Sequence, residues 1–483
     1  MRYTPAMPLT PSSRRGADAI LASIAVLPFA HHGGGAEDAY LADGLADELL
    51  HVLARIKGLR VSARTSSFHF RHPDVRPDEV GKALNVDAVI MGSIRNAGAQ
   101  LRVSAQLVNV ADGGQTWSKS YRRPHDDVFG VIEQIAQSVV AALWETANGK
   151  SPTADASALL RAEVASALEG RGTNVEARRL YLRARYLLEH LDREDTARAI
   201  AHLERALELE SGFALAWAQL GEARYRQAGY GWAPLEDARR LAREARERAL
   251  SIAPNLIEGQ LAVAAARHYD ERDHAGAEAV LRSILERSPG DARALRFCGV
   301  IAMHAGRLEE AIGLYHRALE RDPLSARTHH SLAWSLHCLG RHVEAVAAYR
   351  KALELVPRIT GSRALLSIVL LDMGRGEEAR AEAEAEPDEA IRLYAVACIE
   401  WTLGRRAEAD AALDRLMDGF ADDAPSQIAG VYATRGDLDQ AFHWLERAQA
   451  IRDPGLLELR NFPNFRSVRS DARWGAFLRR AGL

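Results

Sequence analysis

Three prolines, Pro289, Pro323 and Pro357, stand 34 residues apart. Between them the same residue types return at the same offsets: Ala311, Tyr315, Ala318 and Pro323, then Ala345, Tyr349, Ala352 and Pro357. The pattern A-x3-Y-x2-A-x4-P therefore occurs twice in tandem. A period of this length predicts one supersecondary unit repeated along the chain, each unit too small to bury its own apolar face and so stacked on its neighbours. Small residues such as Gly299, Ala311 and Ala318 let elements approach closely, while Tyr315 and Tyr349 fill the spaces between neighbouring pairs.

A 34-residue unit with this signature resembles the tetratricopeptide repeat, a pair of antiparallel helices. The resemblance extends outward from the regular pair. An irregular first unit begins near Ala177, with Leu180, Tyr181 and Ala184 on its first helix and Ala199, Leu203 and Ala206 on its second. The next shows Trp217, Leu220 and Gly221 at W-x2-L-G spacing, then an insertion, Tyr225–Pro234, rich in aromatic residues that include Tyr230 and Trp232. After Pro357 the units shorten: Ala379, Ala409 and Ala441 occupy the small position of each second helix, with Gly374, Gly404 and Gly436 five residues earlier. The expectation is an all-α helical-hairpin solenoid of about eight units over 173–452. Residues 453–483, with Pro454, Pro463 and Trp474, would form its carboxy-terminal cap.

The amino-terminal part has a different grammar. Ser23–Phe29 predicts a buried strand, and His31-His32-Gly33-Gly34-Gly35 a loop before a helix over about 37–56 carrying Leu41, Leu45, Leu49, Leu50 and Leu53. Strands follow at 59–63 and 87–94, with a short helix at 78–84 between them. Asn96-Ala97-Gly98 and Asp112-Gly113-Gly114 then turn the chain through strands at 101–110 and 116–121, as short polar-glycine hairpin connections do. An amphipathic helix over 126–144 closes the unit. Ser23-Ile24-Ala25-Val26-Leu27-Pro28-Phe29, Tyr40-Leu41-Ala42-Asp43-Gly44-Leu45, Gly92-Ser93-Ile94-Arg95 and Gln106-Leu107-Val108-Asn109 ahead of Trp117 resemble the α/β domain of the TolB amino-terminal and FlgO families. In bacterial relatives that resemblance implies a domain lying between an effector, either a nucleotidyl cyclase or a winged-helix DNA-binding module, and a repeat array. Only about 20 residues precede the first strand here, fewer than the roughly 50 a small domain requires, so the effector's activity is not carried over.

The predicted organisation is thus a flexible arm at 1–20, an α/β domain at 21–146, a linker at 147–172, the array and the cap. At 483 residues two domains are expected. A formal net charge of −3 excludes a generally basic nucleic-acid binder. Cys298, Cys338 and Cys398 are too few and too far apart for a disulfide framework or a metal knuckle, which fits a cytoplasmic protein. Arg14 and Arg15 before the apolar run 17–30 imitate a short export signal, but Asp18 interrupts the run and its length cannot span a bilayer.

Motifs for chemistry fail one by one. Gly149-Lys150-Ser151 imitates a phosphate-binding loop, but Trp144 stands where the first glycine belongs. His31 and His32 lack acidic partners at ligand spacing, and no G-x-S-x-G elbow is present. No catalytic, cofactor-binding or metal-binding residues are therefore assigned and the chain is not expected to be an enzyme. Function is expected in the groove lined by the first helices, where repeats of this kind hold an extended peptide or a partner helix. Its candidate residues are Arg293, Arg296, Arg327, His330, Trp334 and His337, with Val300 beside them. Their chemistry suits an acidic protein or peptide, with arginines supplying charge-assisted hydrogen bonds and Trp334 a flat apolar platform. Val300 and Trp334 stand where carboxylate-clamp repeats place asparagines, which argues against a chaperone-tail clamp. The expected function is a bacterial signalling or assembly scaffold. The alternatives are a regulatory subunit whose cyclase or DNA-binding effector lies on another chain, and an envelope-associated assembly protein.

Overall fold

The computed structural model describes residues 22–32, 39–56, 58–72, 74–97, 100–124, 130–149, 151–167, 170–188, 193–229 and 232–483. The expected arm at 1–20, the glycines 33–35, Gly98 and Tyr230 lie outside them. The chain divides into two compact units, residues 1–169 and 170–483.

The first unit is an α/β unit. Its strands are β1 (Ala22–Val26), β2 (Ala30–His32), β3 (Leu59–Val61), β4 (Ala88–Ala97), β5 (Gln100–Asn109) and β6 (Gln115–Pro124). Parallel pairing of β1 with β3 and β4 gives way to an antiparallel meander, in the order β3-β1-β4-β5-β6. His31 and His32, expected in a loop, belong to β2, which pairs in parallel with Ser93–Arg95 of β4. β1 pairs with Ala88–Ile90 of the same strand, so β1 and β2 are one strand broken around Pro28, whose missing N–H cannot serve the ladder. Gly92 lies under the break because a Cβ there would come within 2.7 Å of the Phe29 ring. On β5, Leu101, Val103, Ala105 and Leu107 are buried, the alternation of a half-buried strand.

Four of this unit's helices are α1 (Ala39–Leu53), α2 (Arg64–Ser67), α3 (Pro77–Leu84) and α4 (Gly130–Asn148), and a fifth, α5 (Ala154–Ala167), falls where the sequence suggested a linker. Helix α5 packs on α1 and α4, and the Arg55 guanidinium donates to the Ala167 carbonyl at 3.2 Å. That stretch is therefore built into the α/β unit.

The second unit is a run of helical hairpins. Its first three pairs are α6 (Val175–Leu187) with α7 (Arg193–Leu209), α8 (Ala214–Gly229) with α9 (Leu235–Ile252), and α10 (Ile257–Ala265) with α11 (His274–Arg287). The regular pairs are α12 (Ala292–His304) with α13 (Leu308–Leu319) and α14 (Ala326–Cys338) with α15 (His342–Leu355). The shortened ones are α16 (Ser362–Asp372) with α17 (Gly376–Glu384), α18 (Glu389–Thr402) with α19 (Arg406–Phe420), and α20 (Pro425–Arg435) with α21 (Leu438–Ala450).

The proline ruler has a local cause. Each proline follows the end of a second helix, and two residues later Asp291 and Ser325 cap the next first helix by accepting the N–H of Ala294 and Thr328. After Pro357 that position holds Ile359, which has no capping side chain. Glu386 substitutes, its carboxylate accepting the N–H groups of Gly361 and Ala364. The motif residues Ala311, Tyr315, Ala318, Ala345, Tyr349 and Ala352 are all fully buried. Gly299 is fixed by the same packing, since a Cβ there would lie 2.5 Å from the Tyr315 ring. Gly374, Gly404 and Gly436 adopt φ of 74°, 81° and 78° in the inter-helix turns, a left-handed conformation that disfavours side chains.

Candidate functional site

The first helices of successive pairs pack on one another, α12 with α14, α14 with α16, α16 with α18 and α18 with α20, and so form one wall of the array. The structure brings Arg296, Arg327, His330 and Trp334 to this wall and separates them from two other candidates. Arg293 is half-exposed and ion-paired with Glu258 at 3.3 Å and Asp291 at 3.2 Å. His337 is buried, its Nε2 2.9 Å from the Asp372 carboxylate.

Of the remaining cations, Arg296 has the buried Asp322 carboxylate within electrostatic reach but not in contact. Among the described residues neither Arg296 nor Arg327 forms an ion pair. Burial first and the Arg327 charge second hold the Arg296 guanidinium below its usual value, so the pair repel one another in a partly desolvated place. Tyr269 lies within electrostatic reach of both arginines and of Glu458. It sits in a π-helical turn, Ala266–Asp270, that ends α10, a distortion often found at functional sites. His330 accepts from or donates to Ser362 Oγ at 2.7 Å and meets Trp334 edge-on. Burial foremost, with the Arg327 and Arg296 charges added, pushes this imidazole down to about 4, so it is neutral at physiological pH. The basic character of the wall thus rests on Arg296 and Arg327.

The principal feature missed from the sequence is what lies against the wall. At the carboxy-terminal end Phe477, in helix α23 (Trp474–Ala481) beyond the short α22 (Arg466–Arg469), meets Phe442 of α21. The segment before it, however, runs back along the first helices. Asn461 Nδ2 donates to the Met303 carbonyl of α12 at 2.6 Å, Phe462 meets Trp334 of α14, and Asn464 Nδ2 donates to the Tyr394 hydroxyl of α18 at 3.0 Å. Ser467 Oγ reaches the Ala433 carbonyl of α20 at 3.1 Å. Trp334, expected as an open platform, is only 8% exposed as a result. The available signal was the aromatic run Phe462-Pro463-Asn464-Phe465, too apolar for a simple solvated end.

Between this segment and the wall remains a cavity of about 390 Å³, lined by His330, Trp334, Tyr394, Glu458, Phe462 and Phe465 among others. Burial first, with Asp453 nearby, pushes the Glu458 carboxyl up to about 8, so at neutral pH it is largely protonated and does not neutralise the arginines. The thiols offer no activated nucleophile: burial pushes Cys298 up to about 11 and Cys338 and Cys398 to about 12.

Residues 263–326 and 326–359 match profiles described as tetratricopeptide repeat. The chain carries tetratricopeptide repeats. Over 201 residues, 41% of its length, it is also 33% identical to a protein of Rhizobium meliloti (strain 1021) named "Putative adenylate cyclase 3". The chain spans about a third of that protein's length, 32%. Solved structures similar to it include Pseudomonas aeruginosa PilF, at 20% identity and a TM-score of 0.35, covering 42% of this chain and 90% of that one. A human IFIT1 dimer with PPP-AAAA is similar at 15% identity and a TM-score of 0.42, covering 68% of this chain and 87% of that one. The tetratricopeptide repeats support a protein-interaction scaffold. Among the described residues no helix is long and apolar enough to cross a membrane.

Proposed function

We propose that the chain is a non-enzymatic interaction scaffold whose first-helix wall binds an acidic segment of a protein partner at Arg296 and Arg327. The observation that carries this reading is that Arg296 and Arg327, whose charges oppose one another, form no ion pair among the described residues. Elsewhere in the array arginines pair across successive units, as Arg405 does with Glu377 and Arg435 with Asp410. Two neighbouring cations, the partly buried Arg296 and the exposed Arg327, repel unless an anion joins them, and guanidinium groups suit carboxylates through paired hydrogen bonds. His330 and Trp334 border the same place and Arg293 and His337 lie outside it, so the binding residues reduce to Arg296, Arg327 and their neighbours. Selection of a random-peptide display library on the intact chain tests the reading. Enriched sequences are expected to be dense in Asp and Glu; enrichment of apolar or basic sequences contradicts it.

A second reading is favoured by the stretch shared with the Rhizobium meliloti protein. In it the chain is a regulatory partner of a cyclase or other effector carried on a separate polypeptide, with the α/β unit passing on the binding event. Deletion of residues 22–145 would then abolish an effect on cyclic-nucleotide level that deletion of the repeats alone only weakens.

A further inference from the structure

We propose that His337, His342 and Asp372 form a divalent-metal site that ties two successive repeats together, a role separate from partner binding. His337 lies in the last turn of α14, His342 opens α15, and Asp372 ends α16. The tight turn at Gly340, with φ of 76°, folds the first two together, their rings 5.7 Å apart. Asp372 stands 35 residues after His337, one residue more than a repeat, which brings the carboxylate alongside. One donor atom from each residue lies within 4.8 Å of the others.

The hydrogen-bond inventory of the cluster points to a cation. His337 Nε2 is satisfied by Asp372 at 2.9 Å, but the Nδ1 atoms of both His337 and His342 are buried with no hydrogen-bond partner. Buried ring nitrogens without partners are rare, because the lost hydration is not replaced. A neutral imidazole has one lone-pair nitrogen, and an ion held between His337 and Asp372 would take the lone pair of Nε2, the nitrogen that faces the carboxylate, in place of their hydrogen bond. Among the described residues no lysine or arginine pairs with Asp372 either. Imidazole lone pairs beside a carboxylate, with no cationic side chain among them, match the ligand set of Zn2+ and its neighbours Co2+, Ni2+ and Cu2+.

Tetrahedral binding with bonds of about 2 Å places donors about 3.3 Å apart, so the cluster must contract slightly. Asp372 is the member able to move, its side chain being 39% exposed at a helix end, whereas the His337 side chain is fully buried. Three protein ligands leave a fourth position for water. Because the ligands come from α14, α15 and α16, the ion would hold one hairpin to the first helix of the next, stabilising the folded array by mass action.

The test is calorimetric titration of Zn2+ into the intact, chelator-treated chain, with Co2+ absorption as a report on coordination and melting temperature as a report on linkage. The expected result is one ion bound at a site that gives visible Co2+ bands and raises the melting temperature. His342→Ala and Asp372→Asn, at a helix start and a half-exposed helix end, should each weaken that site at least about tenfold while circular dichroism stays unchanged. Absence of saturable binding by the intact chain, or binding by both variants as tight as that of the unsubstituted chain, overturns the proposal.

Discussion

Phe462 meets Trp334 edge-on with ring centroids 5.7 Å apart, across a sequence separation larger than three repeats. The contact joins the carboxy-terminal segment to the wall expected to receive a partner, and it covers Trp334, which is only 8% exposed.

Phe462→Ala should therefore cost about 3 kcal/mol, the usual loss for truncating a buried aromatic. Urea denaturation would show a lower midpoint, and the tryptophan emission of the folded variant should shift to the red as water reaches Trp334.

Gly299→Ala should destabilise the array by about 1–3 kcal/mol, because the added methyl would meet the Tyr315 ring at 2.5 Å. Combining it with Tyr315→Leu, which removes the clashing ring, should cost less than the sum of the two single changes. Strict additivity in a denaturation double-mutant cycle would contradict this packing account.

Stability should fall at acid pH through a chain of histidines. His268 Nε2 lies 2.8 Å from His304 Nδ1, and its Nδ1 lies 2.8 Å from His274 Nδ1. Burial foremost, then the neighbouring histidines and Arg272, pushes His268 and His304 down to about 3. An unfolded histidine titrates near about 6.5, so the unfolded chain takes up protons first. The contribution is fully present above about 6.5 and is lost as pH falls toward 3. Melting temperatures measured across that window should decline, and less steeply in His268→Gln.

Glu458 acts in the opposite direction. With its folded value pushed up to about 8, the folded chain holds a proton that the unfolded chain releases near about 4.3, so stability declines as pH rises between these values. Glu458→Gln should flatten that decline; an unaltered profile would show that the carboxyl is not held neutral by the segment's docking.

The repeats were legible because close packing imposes residue type: Ala311, Tyr315 and Gly299 are fixed by atoms within a few ångströms, and such constraints recur at the repeat period. The α/β unit was legible through alternation and turn residues, although β2 was not, since its three residues beside a glycine run carry no strand pattern and are defined by β4. The site was legible only in part. Offsets placed Arg296, Arg327, His330 and Trp334 on one wall, but no local rule places Phe462 against Trp334, because that contact depends on where the chain goes after its last repeat. His337 was misplaced for a related reason: its neighbour Asp372 lies in the following unit, and only stacking geometry brings them together.

Recognition of an acidic partner segment by Arg296 and Arg327 would show in the affinity of a selected acidic peptide for the intact chain and for the Arg296→Ala/Arg327→Ala variant. Fluorescence anisotropy should show the variant's Kd raised by at least about tenfold, the loss of one or more charge-assisted hydrogen bonds, with the salt dependence of binding reduced. An unchanged Kd in a folded variant would contradict the account.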